Sequence, residues 1–269
     1  MILGIDAGNY EVKVVNENGA FKFLSCLGEA RERQLVSNFG DDLEYEYNGQ
    51  KGFAGTLAAY ESVFRREMYG DSKAHEDAKI RVLIGVHRYA EGSEHDIVIG
   101  QPISKHQEKE KMKSMLLGKH TLTLNGVTKT FYIQHVNVAP EGAGAIASYT
   151  GMEQKVRILD IGSGTVNCAT IFNGRFIDRD SFTAPFGANT EAQTDLKLLA
   201  ESIVAYTTKK WSKGDVVRVC GGISDFAIDH LSKYFTNIKL LEPIINGESM
   251  HPVFANAAGF YELGKKVYV

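Results

Sequence analysis

Two stretches place an aspartate two residues ahead of a glycine at the end of an apolar run: Asp6-Ala-Gly8 after Ile2-Leu3-Gly4-Ile5, and Asp160-Ile-Gly162-Ser-Gly164 after Leu159. Such a pair can do two jobs. The carboxylate can hold a hydrated Mg2+, and the missing Cβ lets backbone N–H groups approach phosphate oxygens. One Asp-x-Gly is common in turns, but two in the same hairpin context, facing each other across a cleft, carry much more. Asn9 completes the first polar turn. Lys13 follows on the outgoing strand, where its cation could reach a β-phosphate, although a strand lysine taken alone is usually just solvated. Ser163-Gly164-Thr165 offers hydroxyls and amides to a terminal phosphate, and a plain turn would have the same composition. Glu141, after Pro140, could orient or deprotonate an attacking water. By itself it reads as a helix N-terminal acid favoured by the macrodipole. Gly221-Gly222-Ile223, after Val216-Val217-Arg218-Val219-Cys220, suits a base or ribose lying against the backbone, though it could be an ordinary strand-to-helix turn.

The elements that must position these groups repeat. Residues 2–6 read as a buried strand, Val12 to Val15 as a second, and Asn18-Gly19 as the hairpin signal that closes it. Residues 159–177 follow the same plan, with the strand Val166 to Phe172 and the turn Asn173-Gly174. The Asp-to-Asp spacing is 154 residues (160 less 6) and the Gly-to-Gly spacing 155 (174 less 19), which argues for two related halves. Between them, residues 43–55 alternate around Asn48-Gly49 and open an insertion. Ile97 to Gly100 reads as a core strand, and the charged stretch from Lys105 to Leu117 as a solvated helix. Thr121 to Leu124 and Thr128 to Ile133 pair around Asn125-Gly126. The small-residue run Gly142 to Ser148 is expected to be a tightly packed helix. Asp195 to Lys209 has helical apolar spacing, Asp215 to Cys220 reads as a strand, and a closing helix starts at His251-Pro252.

Composition narrows the classes. The 269 residues, 43% hydrophobic and 23% charged with a formal net charge of −3, can bury real cores but lack the basic stripe of a direct nucleic-acid binder. Cys26, Cys168 and Cys220 are far apart and lack a CxxC, so neither disulfides nor zinc is expected, and a cytoplasmic setting fits. There is no leader-like or spanning apolar run, so neither secretion nor a membrane is expected. P-loop and Rossmann fingerprints are missing, as is HExxH.

Taken in order, Asp6 to Lys13 resembles the first phosphate loop of the actin superfamily, Pro140-Glu141-Gly-Ala-Gly-Ala its first connecting motif, and Asp160 to Thr165 its second phosphate loop. Val219-Cys-Gly-Gly-Ile223 is similar to the adenosine motif, and Phe254-Ala-Asn-Ala-Ala-Gly-Phe260 to the second connecting helix. The glutamate at 141, the Gly-Phe-Ala-Gly hairpin and the closing helix resemble ParM-type plasmid segregation actins. Only 61 residues (221 less 160) separate the second loop from the adenosine motif. That leaves little room for the lobe called IIB, and its apparent absence makes AlfA-type segregation actins the nearest resemblance.

The resemblance implies an α/β, actin-like (ribonuclease H-like) duplicated fold with a nucleotide cleft between two lobes. Residues 1–148 would form domain I, with a IB-like insertion at about 23–93; 149–250 would form domain II, mostly IIA; and 251–269 a helix returning to domain I. ATP, or GTP in its place, would bind with Mg2+ organised by Asp6 and Asp160, and Glu141 would be catalytic. Self-assembly into filaments, and a DNA-binding adaptor on centromere-like plasmid DNA, would follow. A small-molecule kinase on the same superfold is the main alternative, because fold does not fix function. It would need a substrate-side aspartate and more chain in each lobe. A chaperone-like module would need an attached substrate domain.

Overall fold

The computed structural model describes residues 1–34, 36, 39–66, 72–190 and 195–269. Its first hairpin joins β1 (Ile2–Ala7) to β2 (Glu11–Asn16), with Asp6 opposite Lys13 in the antiparallel register. β3 (Gly19–Leu24) and the short β4 (Leu27–Glu29) lead into the hairpin β5 (Asp42–Tyr47) and β6 (Gln50–Ala54). Two helices follow, α1 (Gly55–Glu61) and α2 (Glu76–Tyr89). Then β7 (Glu94–Gln101) pairs in parallel with β1. The expected charged helix starts later than its composition suggests: Ile103–Glu108 is a 3-10 turn, and α3 (Lys109–Leu116) buries Met112 and Leu116. β8 (Gly118–Leu124) and β9 (Val127–Pro140) complete a nine-stranded sheet of order β3-β2-β1-β7-β9-β8-β5-β6-β4.

The second sheet repeats the plan. β10 (Lys155–Ile161) and β11 (Val166–Phe172) form a hairpin with Asp160 opposite Asn167. β12 (Arg175–Phe176), β13 (Phe182–Ala184) and α4 (Leu196–Thr207) precede β14 (Val216–Gly221), which lies parallel to β10 as β7 does to β1. α5 (Ser224–Leu231), β15 (Asn237–Leu240) and the small hairpin β16 (Ile244–Ile245) and β17 (Glu248–Ser249) follow. The chain ends in α6 (Ala255–Tyr268), entered through a 3-10 turn at Pro252–Phe254.

Local chemistry accounts for most of the turns. Asn48, Asn125 and Asn173 each take a positive φ, as does the glycine after each, which is the geometry that tight hairpins need. Asn18-Gly19 differs. Asn18 is not left-handed; the turn falls at Glu17–Asn18, where the Asn16 side chain accepts the Asn18 N–H at 2.8 Å. The run 142–148 also departs from expectation. Only Gly144–Ser148 is helical, as a single 3-10 segment, because Gly142 sits at φ +72° with its N–H bound to Asn256 Oδ1 at 2.9 Å.

Each sheet carries its own core. Leu3, Ile5, Val12 and Val14 pack with Val82, Leu83 and Ile84 of α2. Leu159, Val166 and Val219 pack with Leu199 and Ile203 of α4 and Leu231 of α5. α6 returns from the second sheet to the first and lies directly on β1. At Gly4 a Cβ would stand 2.1 Å from Ala257 O and 2.3 Å from Tyr261 N, both backbone atoms. Gly4→Ala must therefore push α6 off the sheet, and the expected loss is about 3 kcal/mol of stability, at the upper end of overpacking costs. Urea unfolding measures it. A loss below about 0.5 kcal/mol, the size of a surface change, would mean that α6 is not held this closely.

Candidate functional site

Strand ends of both sheets converge on one open cleft of about 1000 Å3. Its first wall comes from the β1–β2 turn, where Gly8 closes so tightly that a Cβ would meet Glu11 O at 2.8 Å. Ser25 Oγ donates to Gly8 O at 2.5 Å and fixes that turn from β3's exit. The opposing turn has the same construction: a Cβ on Gly162 would stand 2.9 Å from Thr165 O, which accepts the Gly162 N–H. The 187–190 segment props this second turn, with Ala188 N–H donating to Gly162 O at 2.9 Å and Asn189 N–H to Ser163 O at 2.7 Å. Asp6, Gly8, Asn9 and Lys13 line one side, and Asp160, Gly162, Ser163, Gly164 and Thr165 face them. Gly221, Gly222 and Ile223 lie at the β14–α5 turn, and Glu141 lies at the exit of β9; both border the same cleft. Every residue singled out from the sequence is thus on its wall.

At the floor are three buried carboxylates. Asp6, Glu141 and Asp160 are 7%, 6% and 5% exposed, so their charges must be compensated within the protein. Lys73 supplies part of this: its Nζ donates to Asp6 Oδ1 at 2.9 Å and forms an ion pair with Glu141 Oε1. Asn167 Nδ2 donates to Glu141 Oε2 at 2.9 Å. Asn256, at the start of α6, donates to Asp160 Oδ2 at 2.9 Å while its Oδ1 holds the Gly142 N–H. One amide therefore ties the segment after Glu141 to the second loop. Glu141 is itself anchored by its N–H to Gln101 O at 2.9 Å, at the end of β7.

These contacts push the acids apart. Burial opposes ionisation of Asp6, but Lys73 and then Lys13 outweigh it and hold the carboxyl below the usual range. Burial raises Asp160, and the charge of Asp6 adds to it against the Asn256 hydrogen bond. Glu141 is raised by burial and by the charges of Asp6 and Asp160, against the attraction of Lys73. For Lys73 burial works against the ammonium, yet Asp6 and Glu141 more than restore it, so the group stays charged. Asp6 is thus held low while Asp160 and Glu141 are raised, and a low carboxyl beside a raised one can serve as an electrostatic anchor next to a general base.

The donor set also bears on a metal. Asp6 and Asp160 offer hard carboxylate oxygens. Among the described residues no group of three or more His, Cys, Asp or Glu side chains stands ready to hold an ion directly. The Asp6 and Asp160 oxygens fit Mg2+, a hard cation that keeps several waters when held by one or two carboxylates.

Lys73, Asn167 and Gln101 were not singled out from the sequence, and Asn256 entered only as part of the closing-helix motif, with no role assigned to it. Asn167 carries a usable signal: it stands 154 residues after Lys13 (167 less 13), so the two occupy the same position in the duplicated hairpins, opposite Asp160 and Asp6. Lys73 carries none, since it is an isolated lysine in the segment before α2. His251 also borders the cleft, with Nε2 2.5 Å from Asp225 Oδ2.

Residues 4–144 match the family described as actin like proteins, N terminal domain. The chain belongs to this actin-like family. Its structure is similar to an AlfA filament bound to AMPPNP, at 19% identity and TM-score 0.78, covering 99% of this chain and 97% of that one. It is similar to the AlfA filament of B. subtilis plasmid pLS32, at 18% identity and TM-score 0.77, over 96% and 97% of the two chains. A third similar structure is Ta0583, an archaeal actin homolog, in complex with ADP, at 17% identity and TM-score 0.76, over 98% and 99%. These likenesses show the actin-like α/β fold. No curated protein matches the chain in sequence. Among the described residues, no helix is long and apolar enough to cross a membrane.

Proposed function

We propose that the chain is a cytoplasmic ATPase that polymerises on its nucleotide and moves plasmid DNA through a DNA-binding adaptor. The observation that carries this reading is the convergence of two glycine turns and three buried carboxylates on one cleft, in a chain of the actin-like family. ATP, or GTP in its place, lies with its phosphates between the turns at Gly8-Asn9 and Ser163-Gly164-Thr165, and its base and ribose against Gly221, Gly222 and Ile223. Lys13 faces the phosphates from β2. Asp6 and Asp160 orient a hydrated Mg2+, which when bound neutralises phosphate charge. Glu141 positions the attacking water and accepts its proton.

The filament part of the reading draws support from the AlfA structures, both of which are filaments. Head-to-tail contact between identical subunits is heterologous and leaves a free end at each addition, so it grows as an open polymer. The test is light scattering and sedimentation of purified protein with ATP, with GTP, with ADP and without nucleotide. The expected result is polymer that forms with the triphosphate and depolymerises as it is consumed. Hydrolysis without any sedimenting polymer would overturn the filament reading and favour a kinase.

A further inference from the structure

Lys73 reaches into the cleft floor from outside both phosphate turns. It belongs to the segment between α1 and α2, and its backbone is fixed there by its N–H to Gln101 Oε1 at 3.0 Å. Gln101 Nε2 in turn donates to Ser72 Oγ at 3.2 Å and to Lys105 O at 3.3 Å. The Lys73 stem borders an apolar recess with Ala7, Val82, Ile99 and Met112, which keeps the side chain out of water. The side chain is 4% exposed, and its amine sits between Asp6 and Glu141. That is the space between the carboxylate assigned to the metal and the carboxylate assigned to the attacking water.

Three carboxylates this close need a counter-charge whether or not a metal–nucleotide is present. An ammonium there supplies one positive charge, a hydrogen bond to Asp6 and an ion pair with Glu141. A hydrated divalent cation at Asp6 and Asp160 carries twice the charge and competes with the ammonium for Asp6.

We propose that Lys73 is a resident counter-cation of the cleft, which a divalent cation held at Asp6 and Asp160 must displace from Asp6 before it can be seated. Metal affinity is then set by competition with an amine carried on the segment that leads into α2. Entry of the metal releases the Lys73 ammonium from Asp6, while the backbone of the segment stays held by Gln101. The inference deepens the reading of the cleft as a nucleotide site. Its test uses Mg2+ without nucleotide or polymer, so its failure leaves the hydrolysis and filament readings standing.

The experiment is thermal unfolding of nucleotide-free protein in EDTA and across a MgCl2 titration at constant ionic strength, for wild type and Lys73→Met. Methionine keeps the stem and removes the charge. Wild type should respond weakly to Mg2+. Lys73→Met should unfold at lower temperature in EDTA and recover with Mg2+, with a half-saturating concentration lower on the order of tenfold or more, as expected when a cation at contact distance no longer competes. If the single variant fails to fold in EDTA, folding on addition of Mg2+ supports the proposal. So does folding without metal of Lys73→Met combined with Glu141→Gln, in which one positive and one negative charge are removed together. Equal Mg2+ responses of wild type and Lys73→Met would overturn it. A variant restored neither by Mg2+ nor by the second change would also overturn it, leaving Lys73 a packing residue.

Discussion

Glu141→Gln should release phosphate from ATP at least about a hundredfold more slowly than wild type while binding the nucleotide nearly as well. The side chain is placed for this by three independent anchors: its own N–H on Gln101 O, Asn167 on Oε2 and Lys73 on Oε1. Glutamine keeps the length and can still accept from Asn167 through its amide oxygen, so the geometry of the floor is largely retained. What it loses is the ability to take a proton from water. Burial and the charges of Asp6 and Asp160 raise the carboxyl above its ordinary value, which makes it a better base than an exposed glutamate. Single-turnover phosphate release at saturating ATP, with nucleotide affinity measured in parallel, separates the two steps. Equal phosphate release by the variant would remove Glu141 from the catalytic role. A parallel loss of affinity would instead show that its pairing with Lys73 organises binding.

The duplication was legible because turn chemistry and strand pattern repeat at a fixed spacing, and the structure places Asp6 and Asp160 at equivalent ends of β1 and β10. Three Asn-Gly turns were legible for the same reason, since each needs two consecutive positive φ values. α2 was not. Its residues from Ile80 to His87 are all buried, so the polar face that would reveal a helical period is missing and the stretch reads equally well as a strand. The helix is marked instead by its ends, with Glu76 and Asp77 in the first turn, His87 and Arg88 in the last, and the His75 side chain accepting the Ala78 N–H at 3.3 Å. Lys73 was illegible for a different reason. Its place between Asp6 and Glu141 depends on β1, the exit of β9 and the segment before α2 meeting in space, and no local pattern encodes that meeting.

Nucleotide affinity should rise as the protein crosses its critical concentration for assembly. Among the described residues, only β12, β13, a 3-10 turn at Asp178–Asp180 and α4 lie between β11 and β14, so these residues form no separate lobe over the β14–α5 turn. Gly221, Gly222, Ile223 and the His251–Val253 entry to α6, against which we propose the base lies, line the same cleft as Tyr10, Glu11 and Lys22. A purine lying there in a monomer keeps one side in water and gains less from burial than one enclosed on both faces. A neighbouring subunit that covers this side in the polymer adds the missing surface. By linkage, the nucleotide must then favour the polymer by the same factor as the polymer favours the nucleotide. A coupling of about 1–3 kcal/mol, the usual range between linked sites, corresponds to about 5–150-fold in affinity. The measurement is equilibrium binding of Mg-ATP to Glu141→Gln, which suppresses turnover, below and above the concentration at which sedimentation and electron microscopy detect polymer. Affinity that stays constant across that boundary, with polymer visibly present above it, would mean that the monomer completes its own pocket and that assembly responds to the nucleotide through the lobes rather than through a shared base site.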